Sequence, residues 1–235
     1  MCMTLSLSDA IDQLIAEEAI AALPAWTGAP LDFTSRYYSS IALDAAAERR
    51  DKINATKPWT ERIRHGWTAD YCGARSVVGA HTITSYTADL RCLWDYHQIE
   101  PGQRPRLLSE RIPCECIGDY LHLIVCDTCE LHWIDSDWNT VVEAWHDHAF
   151  PGWRELPTLP AKLRGQMGTR KMTPKLEEWL DANYPPEFRV AGAPILTDRG
   201  GSGTRHVPSY SPYGGYDIAV DGSQTPPAVL PQGAP

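Results

Sequence analysis

Residues 114–153 read CECIGDYLHLIVCDTCELHWIDSDWNTVVEAWHDHAFPGW. Four cysteines (Cys114, Cys116, Cys126 and Cys129) fall within sixteen positions, and His146 and His148 follow one residue apart. Thiolates and neutral imidazoles are the donors zinc prefers, and a structural site closes around the ion with four of them. Cys126-Asp-Thr-Cys129 has the spacing of a zinc knuckle. Cys114-Glu-Cys116, with one intervening residue, is a weaker half of the same pattern. Free cysteine ordinarily packs as a small hydrophobe, which suffices for Cys2, Cys72 and Cys92. Four in sixteen residues ask for more. A redox reading of Cys-x-x-Cys finds no surrounding βαβ pattern, and the local acidity raises thiol pKa values rather than lowering them.

The same stretch predicts its own scaffold. Gly118-Asp119 is a two-residue turn signal, so IPCECI and YLHLIV read as a hairpin, with ELHWI as a further short strand. A helix from about Trp138 to Ala149 follows, with Asp135, Ser136 and Asp137 as possible N-caps. Its apolar stripe is Trp138, Val142, Trp145 and Ala149, and Pro151-Gly152 stops it. A strict hairpin at Gly118-Asp119 pairs Cys114 with Leu123. That places Cys114 and Cys116 on one face and Cys126 on the other. Two ligand sets therefore stay open. One is four cysteines on a bulged strand; the other is Cys126, Cys129 and His146, or His148, joined by Cys114 or Cys116.

Outward from this centre, residues 8–23 and 41–55 have helical patterning, with Ser8 as a cap and Pro24 as a stop for the first. Residues 76–94 have the Thr, Val and Tyr content of strands, with Gly79 as a bend, and EPGQRPR (100–106) is a loop. TPKLEEWLDANY (173–184) carries Thr173 as cap and Pro174 at the first helical position. From 191 onward Gly, Pro and Ser predominate, which predicts an extended or disordered tail, although RHVPSYSPYGGYDIAV has enough tyrosine to dock. The expected class is α+β: a small zinc-stabilised β-hairpin and helix at the centre, N-terminal helices, and an extended Gly/Pro-rich tail. The corresponding segments are an N-terminal helical region (1–70), a zinc-binding hairpin/helix domain (71–160), a basic linker with a short helix (161–190), and the tail (191–235).

Charge narrows the function classes. The net charge is −9, yet residues 114–150 alone hold eight acids and no Lys or Arg. DNA affinity comes largely from Lys and Arg neutralising phosphates, so the cysteine segment is a poor reader of nucleic acid. A DNA-associated regulator would have to use Lys162, Arg164, Arg170, Lys171 and Lys175, or Arg62, Arg64 and Arg75. An acidic module also suits a basic patch on a protein partner. No run approaches the ~18 apolar residues of a membrane span. Asp9 and Asp12 interrupt the apolar N-terminus, which lacks the basic start of a signal peptide. The expected setting is a reducing cytoplasm, where clustered cysteines bind metal rather than pair.

His146, Asp147 and His148 in a row invite a zinc-dependent hydrolase or nuclease. Against that, a helix turns residues i and i+2 about 200° apart, so the two rings cannot share one ion unless the helix ends there. No phosphate-binding loop, dinucleotide fingerprint or nucleophile elbow is present. No catalytic residue is assigned.

The words GAHTITSYTADLRC, CECIGDYLHLIVCDTC, VVEAWHDHAFPGWRELPTLP and PILTDRGGSGTRHVPSYSPYGGYDIA span most of residues 79–219. In them the chain resembles a family of uncharacterised proteins from actinobacteria and their phages and mobile elements. The resemblance implies a cytoplasmic protein of a high-GC host, carried by a phage or mobile element; it implies no activity. Together these readings point to a Zn2+-binding accessory protein that meets another protein, the metal being structural.

Overall fold

A computed structural model describes residues 26–28, 36–58, 61–70, 76–90, 119–167, 172–199 and 204–220, with Ile11, Leu14, Ile15 and Glu18 of a helical segment. Those four lie within the helix expected over 8–23, the rest of which, like the loop at 100–106, is outside the described residues.

Helix α1 (Ser40–Ala55) starts where Ser39 caps it, accepting from the Ala42 N–H. Strands β1 (Thr68–Ala69), β2 (Ser76–Val78) and β3 (His81–Asp89) follow. β2 and β3 are joined by the two-residue turn Gly79-Ala80, where Gly79 takes the left-handed φ of 61° that favours glycine. Then come β4 (Tyr120–Cys126), β5 (Leu131–Asp135) and α2 (Trp138–Ala149). Asp137 is the residue that caps α2, accepting from the Asn139 N–H. The order across the sheet is β1-β3-β4-β5, all antiparallel, with β2 paired to the first residues of β3.

β4 is hydrogen-bonded to β3 along one edge and to β5 along the other. Leu123 therefore stands opposite Tyr86 and Ile134, not opposite Cys114. The expected pairing of Leu123 across a hairpin turning at Gly118-Asp119 is thereby corrected, since both edges of β4 are taken by β3 and β5; IPCECI itself lies outside the described residues. The hairpin at the centre is β4–β5, and its turn is the Cys126–Cys129 knuckle.

Strand alternation gives the sheet two apolar faces. Leu123, Val125, Tyr86 and Ala88 turn toward α1, which contributes Leu43; Ile124, Cys126, Ile83 and Trp133 turn toward α2, which contributes Val141, Val142 and Trp145. Trp133, Trp145 and Trp153 are fully buried. Truncating one such indole costs about 3–5 kcal/mol.

The α2-side core continues far along the chain. Leu163 and Met167, around the short helix α3 (Ala161–Arg164), reach it. So do Leu176 and Leu180 of α4 (Pro174–Asn183), which begins at Thr173 and Pro174 as the sequence predicts. Within the Gly/Pro-rich stretch after 191, β6 (Pro194–Thr197), β7 (His206–Pro208) and β8 (Tyr216–Ala219) form a second sheet of order β6-β8-β7. β6 runs parallel to β8, and Ile195, Leu196 and Ile218 are buried in the shared core. This part of the tail is thus docked by its apolar residues; residues 221–235 are outside the described set.

Candidate metal centre

The β4–β5 turn, Asp127 to Glu130, is closed by the pairing of Cys126 with Leu131, and Glu130 takes a left-handed φ of 55° to complete it. This geometry brings the two ends of Cys-Asp-Thr-Cys together. Register does the next step. Thr84 pairs with Val125, so the start of β3 lies beside the knuckle, and the Asp127 N–H donates to Thr82 Oγ1 at 2.7 Å. His81, next to Thr82, then sits with Nδ1 at 3.4 Å from Cys129 Sγ and 4.0 Å from Cys126 Sγ. The fourth side chain comes from α2. Its Trp145 indole donates to the Thr82 carbonyl at 3.0 Å, fixing the helix against β3. His148, three residues on, meets His81 edge-to-face with ring centres 4.5 Å apart.

Ligand atoms from His81, Cys126, Cys129 and His148 all lie within 4.8 Å of one another, and the group could hold a metal ion. Two further observations fit that use. His148 Nε2 is buried and has no hydrogen-bond partner, an arrangement that is costly unless another group satisfies it. Burial, with the charge of His81 adding to it, also lowers the His148 pKa, keeping the imidazole in its neutral, metal-binding form. Burial and the adjacent Cys126 push the Cys129 thiol up, so an entering cation would displace a proton there.

The sequence-predicted site residues distribute as follows. Cys126 and Cys129 are in the cluster. Cys114 and Cys116 lie outside the described residues. His146 is fully buried on another side of α2, with Nδ1 at 2.8 Å from the Val142 carbonyl and Nε2 at 3.3 Å from the Gly192 carbonyl. It is therefore not brought to the sulfurs. A neutral ring has one N–H and can donate to only one of these two carbonyls; donating to both would need a second proton that burial opposes, and the pKa is lowered to about 4. Asp147 is bidentate to Arg154, at 2.9 Å to each oxygen, and also accepts from the Trp153 indole. His146, Asp147 and His148 thus face three different environments and do not converge on one reacting atom.

Of the basic residues, Arg164 is paired with buried Asp217 at 3.3 Å, Lys162 and Lys175 are exposed, and Arg170 and Lys171 are outside the described residues. His81 went unassigned in the sequence because it lies 45 residues before Cys126. Only the β3–β4 register joins them.

The fold and the site together define an α+β protein in which the central hairpin turn, β3 and one helix bring together a four-donor His/Cys group; no helix among its described residues is long and apolar enough to cross a membrane. The chain belongs to the family of unknown function DUF6349, whose model matches residues 28–228. No curated protein and no solved structure matches it.

Proposed function

We propose that the protein is a zinc-binding accessory protein of a phage or mobile element, acting in the cytoplasm of an actinobacterial host, and that its metal is structural. The observation that carries the metal reading is the His81, Cys126, Cys129 and His148 group. Zinc with Zn–S of about 2.3 Å and Zn–N of about 2.0–2.1 Å sets tetrahedral donors roughly 3.3–3.8 Å apart. The Sγ–Nδ1 separation of 3.4 Å already falls in that range, and the one of 4.0 Å needs only a small contraction to reach it. Four protein donors fill a tetrahedral zinc, whereas a catalytic zinc keeps one position for water or substrate. A closed site supports folding rather than turnover. The work of the protein then falls to its surface, and the acidity of residues 114–150 suits a partner protein with a basic face better than it suits DNA. The host and the mobile-element setting rest on the sequence resemblance.

Metal analysis of the purified protein tests the reading. One zinc per chain is expected, lost in Cys126→Ser, Cys129→Ser, His81→Ala and His148→Ala, and kept in His146→Ala, Cys114→Ser and Cys116→Ser. Zinc retained by the Cys126→Ser/Cys129→Ser double variant refutes the site. Zinc lost on Cys114→Ser or Cys116→Ser instead restores the four-cysteine set.

A further inference from the structure

Asp127 stands between two of the four metal donors, yet its carboxylate faces away from them. The first N–H groups of a helix have no partner within the helix, and the helix dipole favours a negative charge beside them. At the start of α1, Ser39 Oγ serves the Ala42 N–H. The Ser40 N–H is served from across the molecule: it donates to Asp127 Oδ1 at 2.8 Å. The Ser40 hydroxyl donates to Asp127 Oδ2 at 2.5 Å, and the Tyr37 hydroxyl donates to Oδ1 at 2.8 Å. One carboxylate in the knuckle thus takes three hydrogen bonds from the segment that opens α1, 87 to 90 residues earlier in the chain.

The knuckle is held on its other side as well. The Asp127 N–H is bound to Thr82, the neighbour of His81. The direction of the Asp127 side chain is therefore set within the Cys126–Cys129 knuckle, whose two end residues belong to the candidate donor group. We propose that metal binding at this site and docking of the first turn of α1 are coupled through Asp127: the ion fixes the turn, the turn aims the carboxylate, and the carboxylate caps the helix from outside. Arg50, which donates to the Trp67 carbonyl at 2.9 Å, anchors the distal half of α1 separately. The coupling acts on the Tyr37–Ser40 end, and metal loss loosens the N–H and hydroxyl contacts there, while Tyr86, whose hydroxyl meets the Ser40 carbonyl at 3.1 Å and Asp44 Oδ1 at 2.9 Å, keeps the helix over the sheet face. Asp127 is a positioning residue here, not a ligand. The inference rests on zinc occupying the His81/Cys126/Cys129/His148 group.

Linkage requires that the coupling be reciprocal: whatever factor metal adds to docking, docking adds to metal affinity. Hydrogen exchange on the full-length protein, with and without chelator, reads the first direction. Competition with a chromophoric zinc chelator reads the second. Removal of zinc should speed exchange of the Ser40–Leu43 amides by about tenfold, within the usual range of such couplings, while the Leu176–Leu180 amides of α4 stay protected. Asp127→Asn should retain one zinc per chain, speed the same Ser40–Leu43 exchange, and weaken zinc by a similar factor. The pair Tyr37→Phe/Ser40→Ala, which leaves the knuckle intact, should weaken zinc as well. A protein that binds one zinc but whose Ser40–Leu43 exchange ignores chelation overturns the coupling and leaves the metal reading standing. A protein that takes up no zinc overturns both.

Discussion

Two regions of the molecule hold buried polar groups, and the chain surrounds them differently. The docked C-terminal sheet is fastened by arginines of the chain itself. Asp217, wholly buried on β8, is met by Arg164 from α3 and by Arg199 after β6, and it also accepts from Thr197. Glu143, buried on α2, is met by Arg154 at 2.8 Å and by Arg205 at 2.7 Å. The knuckle has no such resource. Residues 114–150 contain no Lys or Arg, and the groups that reach Cys126 and Cys129 are two imidazoles and the Thr82 hydroxyl, none of them a fixed positive charge. Glu143 belongs to that same base-free segment, but both of its arginines lie C-terminal to it. A segment without bases must satisfy its buried anions from outside itself, with hydrogen bonds such as those Asp127 takes from Tyr37 and Ser40, or with a cation from another part of the chain or from solution. The contrast gives a physical reason for expecting metal at one place and not at the other.

The largest effect on that contrast should come from Asp217→Ala. The substitution leaves the nearly buried guanidinium of Arg199 without its carboxylate, and breaking one side of a buried pair costs about 3–5 kcal/mol. Urea denaturation should show the loss while zinc content stays at the wild-type value. Asp217→Ala that also releases zinc would mean that the two regions are a single fastening.

Acid should act next, through two histidines buried against the C-terminal sheet. His146 and His206 are buried among α2, Gly192 and β8, with pKa values lowered to about 4 and about 3, chiefly by burial. Their folded pKa values lie below the unfolded value near 6.5, so the unfolded chain binds protons first as pH falls. Their contribution is complete above about pH 6.5 and declines as pH drops through the interval toward 4 and 3. At pH 5 the cost is about 2 kcal/mol for each histidine, taking 1.36 kcal/mol per pH unit. Wild type should therefore lose stability between pH 7 and pH 5. His206→Asn, which does not titrate, should show a shallower slope; an unchanged slope would show that His206 is not the group responsible.

Much of the local structure was legible because its signals are short-range. The cap and stripe of α2, the Thr-Pro start of α4 and the Cys126/Cys129 knuckle each need fewer than about a dozen residues to declare themselves. The separation of His146 from His148 was also readable, since helical geometry turns them apart: one faces the C-terminal sheet and the other the knuckle. What escaped depends on long-range register. Gly118-Asp119 is a sound turn signal, but hairpin chemistry does not reveal that β4 is already flanked by β3 and β5. His81 looks like any strand residue until Thr84 is placed opposite Val125. The tail reads as loop because its strands are only three or four residues long and its glycines do positional work. Gly192 holds a φ of +88°, and a Cβ there would fall 2.4 Å from Val78. Low hydrophobic content conceals a sheet that is held as much by arginine and carboxylate as by Ile195, Leu196 and Ile218.

The smallest effect should come from a change that touches neither fastening. Thr173 caps α4, its hydroxyl oxygen accepting from the Leu176 N–H at 3.3 Å while its proton goes to Gln166. Replacing such a cap with alanine costs about 1 kcal/mol, because one of the unpaired N–H groups loses its partner. Leu176 and Leu180 remain buried, so the helix should persist in Thr173→Ala, and Thr173→Ser should recover most of the loss. The cost should add to that of Asp217→Ala, since the two residues share no partner, and it should be the same at pH 5 and pH 7. It should also leave zinc in place. A loss above about 3 kcal/mol, well beyond the range for a cap, or an effect that grows when zinc is removed, would make α4 a third fastening. The division between borrowed and resident cations would then describe only part of what holds this chain together.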